Sequence, residues 1–183
     1  VGFKKFVVCL DGSSSAIDTL RIANLLSEHF NAELHLVYVF DVELHRALFR
    51  KLKDSVATLE GFNFNSEEQE RIHDEFIDKG LENVGDMIID RAVQECNIPI
   101  PDNLEGWGPA VQRRVFRKVM AGHIYKTICD YARDIEADVI FTGRTGRHFV
   151  KGIDIGSVAE NVVRFAPCSV FVTMHREFKG WEI

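Results

Sequence analysis

The sequence predicts an α/β protein whose parallel sheet carries helices on both faces, and three observations support that expectation. Short apolar runs recur at Lys5–Leu10, Glu33–Phe40, Val115–Met120, Val139–Thr142 and Pro167–Thr173, giving five strands. Stretches with apolar residues at helical spacing lie between them. The first two strands flank a single helix, which makes a βαβ unit with parallel strands and a right-handed crossover.

The first strand ends in Asp11-Gly12-Ser13-Ser14-Ser15, and Ala16, Leu20, Ala23, Leu26 and Phe30 then form one helix face. The serines offer N-cap oxygens, and Asn31 suits the helix exit. Asp11 stands at the carboxyl end of a strand, where open α/β sheets bind ligands. A carboxylate repels a triphosphate, so as a ligand group Asp11 belongs on ribose hydroxyls, an adenine amine or a bridging metal; as a turn residue it bonds neighbouring backbone N–H groups. Both readings stand.

From Asp41 to Gln112 the chain departs from the simple alternation. Glu43–Leu59 has charged helical spacing. Ser66-Glu67-Glu68-Gln69 has the form of a capping box, and Ile72, Phe76, Leu81, Val84, Ile88, Ala92 and Cys96 predict the apolar face of a long helix. Gly80 and Gly85 either weaken that helix or permit close packing. Residues 98–109 contain Pro99, Pro101, Gly106, Gly108 and Pro109, so they read as a loop, with Trp107 covering its own domain, a bound base or a dimer interface. Closing such an insertion costs only about 0.6 kcal/mol per doubling of length, so it need not disturb the sheet. Beyond it, Gly122 ends the third strand, and Ile124, Ile128, Tyr131, Ala132 and Ile135 form the next helix face.

The fourth strand runs into Thr142-Gly143-Arg144-Thr145-Gly146-Arg147, and the stretch continues through Gly152 and Asp154 to Gly156-Ser157-Val158 at a helix start. Glycines there let the backbone approach a ligand, and amide groups at a helix N-terminus favour an anion. That is the chemistry of a phosphate cradle. Ser157 either caps its own helix through a box with Glu160 or turns its hydroxyl to a phosphate; Arg144 and Arg147 either contact phosphate or face solvent.

With 183 residues, 46% hydrophobic and 27% charged, the chain reads as one domain over 1–183 carrying an insertion at about 41–112. The net charge of −6 gives no electrostatic basis for sequence-independent binding to nucleic acid or an anionic membrane. No apolar run approaches the roughly 20 residues of a membrane span, and no signal-peptide layout is present. Cys9, Cys96, Cys129 and Cys168 are dispersed, which suits buried thiols in a reducing, cytoplasmic compartment. Val1 in place of Met fits a chain trimmed or cut from a longer one. Phe178 and Trp181 lie in a short tail that either docks on a neighbour or stays mobile.

Two residues separate Gly143 from Gly146, nine separate Gly146 from Gly156, and Ser157 follows. This spacing after a strand resembles the ATP-binding signature of the universal stress protein family. Asp11-Gly12-Ser13, Val39-Phe40-Asp41 and Ala166-Pro167-Cys168 match the same pattern, while the insertion matches loosely. The resemblance implies a three-layer, Rossmann-like α/β/α sandwich of the adenine nucleotide alpha hydrolase-like kind, with strand order 3-2-1-4-5, and a homodimer, often through the last strand. It also implies ATP, with or without Mg2+, as the ligand. Asp11 and the Val39 backbone would border the adenosine, Gly143 and Gly146 would let the loop wrap ribose and phosphate, and Gly156, Ser157 and Val158 would hold phosphates.

Those features describe a nucleotide-dependent regulatory or stress-response module acting through dimer or partner surfaces, rather than a dedicated enzyme. A slow ATP hydrolase is one alternative, for which His148 and Asp154 are loop candidates without an identifiable partner. A protein-interaction module using the insertion is the other.

Overall fold

The structure, a computed structural model, describes residues 2–43, 47, 67–99, 114–146 and 155–174. The elements are β1 (Lys5–Cys9), α1 (Ser14–Phe30), β2 (Glu33–Phe40), α2 (Glu67–Glu95), β3 (Val115–Ala121), α3 (Ile124–Asp134), β4 (Val139–Gly143), α4 (Ser157–Phe165) and β5 (Ser169–Thr173). All five strands are parallel, in the expected order β3-β2-β1-β4-β5. The expected helix at 43–59, the Ser66 cap, Trp107 and the tail beyond 174 lie wholly or mainly outside the described residues.

Alternation along the strands divides the core into two layers. Phe6, Val8, Leu34, Leu36, Tyr38, Phe40, Val139 and Phe141 face α1 and α2. Val7, Val37, Val39 and Ile140 face α3 and α4. Because β1, β2 and β4 are covered on both sides, they read in sequence as continuous apolar runs. The edge strand β3 instead exposes Arg117 and Lys118, charges that discourage edge-to-edge pairing.

Local signals at α1 behave as read. Ser13 is the N-cap, its hydroxyl accepting from Ala16 N at 3.1 Å. Asn31 closes the helix in the left-handed region at φ 50°, ψ 44°. A side chain with a Cβ costs roughly 1–2 kcal/mol there, a penalty that Asn tolerates better than Ala. Asn31→Ala should therefore lower stability by about 1 kcal/mol while Asn31→Gly retains it, as read by urea denaturation. Equal stability of the two variants would refute the assignment.

The predicted face of α2 requires correction. Ile89 and Ala92 are buried, with Leu81, Ile88, Val93 and Cys96 packed against the core, but Phe76 is 81% and Val84 42% exposed. The helix phase is set by Gly85: a Cβ there would lie 2.6 Å from both Tyr38 Cδ1 and Val119 Cγ1, so this glycine permits close packing on β2 and β3.

His35 on β2 is a buried polar residue that the apolar pattern concealed. Its Nδ1 lies 2.8 Å from the Tyr131 hydroxyl, its ring stacks on Phe116 at 4.6 Å, and Nε2 lies 3.5 Å from Glu33 Oε2. Burial lowers its pKa below 6.5 against the pull of Glu33, with Lys5 and Lys118 reinforcing the shift. The folded state then binds fewer protons than the unfolded state, so the contribution of His35 is retained above pH 6.5 and lost as pH falls below it. His35→Phe should flatten the fall in melting temperature between pH 7 and about 5; an unchanged pH slope would contradict this.

Candidate functional site

The strand order reverses between β1 and β4. After β1 the chain leaves to α1 on one face, and after β4 to α4 on the other. Their diverging carboxyl ends border a cleft of about 300 Å³. Asp11, Ser13, Val39, Thr142, Gly143, Arg144, Gly146, Gly156, Ser157 and Val158 all line it. Gly12 does not: its φ of 82° makes the turn, and a Cβ there would contact Ile88 at 3.4 Å. Arg147, His148 and Asp154 lie outside the described residues.

Asp11 is first of all a turn residue. Its Oδ1 accepts from Ser13 N at 2.9 Å and from Ser13 Oγ at 2.6 Å, which ties the carboxylate to the α1 N-cap. A Cβ on Gly146 would lie 2.6 Å from Asp11 Oδ2, so the glycine loop closes down on the same carboxylate. The pair is separated by 135 positions in sequence and meets only because β1 and β4 are adjacent.

The base of the loop is anchored on buried hydroxyls. Thr173 Oγ1 bonds Thr142 O at 3.4 Å and touches the Thr19 hydroxyl, which bonds Ser15 O at 2.8 Å. Ser15 is itself buried against Gly143, where a Cβ would lie 2.5 Å from Ser15 Oγ. The loop's two ends are joined by Gly156 N–H donating to Arg144 O at 2.8 Å, while Arg144 N–H donates to Thr173 O at 2.8 Å.

That closure corrects the capping-box expectation. Gly156 is the N-cap of α4, Ser157 is the first helical residue, and Glu160 N–H donates to Gly156 O at 2.9 Å. Glu160 instead pairs with Arg164 at 3.0 Å. The Gly156 amide is already used, so the amides that lack an intrahelical acceptor are those of Ser157, Val158 and Ala159. They give the cleft an anion-favouring end.

The opposite wall and floor were missed by sequence reasoning: Tyr38, Val37, Ile124 and Ile128 line the cleft with Cys9, Leu10, Ala16, Thr145 and Ala159. The available signal was position, since Ile124 follows the exit of β3 at the same edge of the sheet. Burial pushes the Cys9 thiol up to about 12, with Cys129 and Asp11 adding to the shift, so it is a neutral thiol near pH 7. The cleft thus has an apolar wall suited to a flat ring and an amide-lined end suited to an anion. Among the described residues there is no group of three or more His, Cys, Asp or Glu placed to hold a metal, and no helix long and apolar enough to cross a membrane.

A parallel α/β/α sandwich with a glycine-rich cleft at its switch point defines a class to which several known proteins belong. The profile of the Universal stress protein family matches residues 108–173. Universal stress protein MJ0531 of Methanocaldococcus jannaschii is 28% identical over 170 residues, covering 93% of this chain and 81% of that protein. The universal stress protein UspA from Lactobacillus plantarum shares the fold at TM-score 0.64 and 21% identity, over 94% of this chain and 98% of that one. A universal stress protein solved in complex with cAMP shares it at TM-score 0.57 and 16% identity, over 96% of this chain and 99% of that one. The chain is thus similar to universal stress proteins in sequence and in fold.

Proposed function

We propose that the cleft binds an adenine nucleotide, ATP with or without Mg2+, and that the chain is a single-domain cytoplasmic regulatory or stress-response module rather than a dedicated enzyme. The observation that carries this reading is the seating of Gly146 on Asp11, opposite the free amides of α4. Val39 and Ile124 would flank the adenine, and the Asp11 carboxylate would accept from ribose hydroxyls. Gly143 and Gly146 would keep the loop close to the sugar and phosphates. The amides of Ser157 and Val158, with the Arg144 guanidinium, would meet the phosphates. The Ser157 hydroxyl, no longer required as a cap, is available to a phosphate oxygen. The cAMP complex of a structural neighbour supports the ligand class.

A homodimer through β5 accompanies this reading. Phe171 on that edge strand is 44% exposed, and Val163 and Phe165 on α4 are 52% and 51% exposed. Nucleotide would act by altering this surface or one on the 41–112 insertion. The test is the nucleotide content of the purified protein together with calorimetric titration of ATP and AMP, with and without magnesium. Absence of both bound nucleotide and measurable affinity would end the proposal. A multiple-turnover assay for ADP or AMP separates a receptor from a slow hydrolase, and sedimentation reads the dimer.

A further inference from the structure

We propose that the outward stripe of α2 is a docking face for a basic amphipathic helix of a protein partner. The proposal gives a place and a chemistry to the insertion's partner surface and is read separately from nucleotide binding. Phe76, Gly80, Val84 and Met87 follow one another at spacings of four, four and three, which puts them on one face of the helix. Phe76 is 81%, Val84 42% and Met87 69% exposed, and a Cβ on Gly80 would meet nothing within 4 Å. Leu81 is the first described side chain of α2 that packs on the core, so the helix carries Phe76 beyond the part that the sheet covers. A helix this long, about 43 Å at 1.5 Å per residue, exceeds what burial against the sheet requires.

Charge selects the occupant. The sequence of α2 holds ten acidic residues against three Lys or Arg, and Glu82, Asp86 and Asp90 form a row beside the apolar stripe. Their pairs with Lys79 and Arg117 are surface contacts, with exposures of 50–59% on the acidic side, which leaves them open to a second cation. A second copy of the same face would bring like charges together, and an anionic lipid surface would be repelled. A helix with apolar residues at i, i+4 and i+7 flanked by Lys or Arg satisfies both the stripe and the row, with Phe76 and Met87 as the anchors.

The probe is a labelled synthetic helix with leucine at its a and d positions and lysine elsewhere, compared with its glutamate counterpart, titrated into the full chain by fluorescence anisotropy. The lysine helix should bind with an affinity that falls as salt rises, and the glutamate helix should not bind. Phe76→Ser with Met87→Ser should weaken binding about tenfold or more, whereas Leu25→Ser on α1, a residue 67% exposed, should leave it unchanged. Nucleotide titration of the stripe variant should match wild type, which keeps failure of this face distinct from failure of the cleft. Equal binding by the stripe variant, or by the glutamate helix, overturns the proposal. So does a cross-link showing that residues 44–66 of the same chain already cover the stripe, or sedimentation showing a dimer that the stripe substitutions break.

Discussion

Gly146→Val is expected to weaken adenine-nucleotide binding by at least about tenfold, equivalent to ~1.4 kcal/mol, in a protein that still unfolds cooperatively. The reason is a contact between two chain segments. The new Cβ would lie 2.6 Å from Asp11 Oδ2, closer than a carbon and an oxygen can approach. Asp11 cannot swing aside freely, because its other oxygen holds Ser13 N and Ser13 Oγ, and Ser13 in turn caps α1. The loop must therefore lift, which separates it from the Ser157 and Val158 amides across the cleft. The core is untouched, so the melting temperature should move by only a few degrees.

Isothermal titration of ATP against wild type and variant measures the effect. The double variant with Asp11→Ala supplies the control, since removing the carboxylate makes room for the valine. If the contact carries the loss, the two substitutions are strongly non-additive. Additive losses would mean that Gly146 and Asp11 act independently and that the closure between them is irrelevant to binding. Binding of the basic helix by α2 should be indifferent to all three variants.

The sheet was legible because β1, β2 and β4 are buried on both faces and so carry unbroken apolar runs that only a covered parallel strand requires. The glycine spacing at 143, 146 and 156 was equally plain, since each position approaches another chain segment: Ser15, Asp11 and the Arg144 carbonyl respectively. Helix phase was harder. Phe76 and Val84 fitted an apolar repeat, yet they lie on the outward side because Gly85 fixes which side of α2 meets Tyr38 and Val119. The Ser157-x-x-Glu160 pattern fitted a capping box, but the bond from Gly156 to Arg144 starts α4 one residue earlier. His35 sits in a run that reads as buried, and only its tertiary neighbours Tyr131 and Phe116 explain why a polar ring belongs there. Local sequence specifies period and turn chemistry; which face turns inward is decided by contacts distant in sequence.

Gly85→Val should disturb stability and the cleft together. A valine Cβ at this position would lie 2.6 Å from Tyr38 Cδ1 and 2.6 Å and 2.9 Å from the two Val119 methyl carbons. Tyr38 is 6% exposed and packs beside Phe40 at a ring separation of 6.5 Å, so it has little space into which to retreat. Overpacking of this kind costs about 1–3 kcal/mol, and more if α2 lifts and uncovers Ile89 and Ala92. For a chain of this size each kcal/mol lowers the melting temperature by about 2–4 °C. Because Tyr38 also lines the cleft, nucleotide affinity should fall with stability. Gly80→Val is the matched control: it adds the same side chain to the same helix where nothing lies within 4 Å, and the better helix propensity of valine should leave stability level or slightly raised. Thermal denaturation and ATP titration of the two variants side by side give the answer. A destabilised Gly85→Val protein with wild-type affinity would show that Tyr38 yields on its α2 side without moving its cleft side, and the insertion would then have no mechanical route to the nucleotide through this residue.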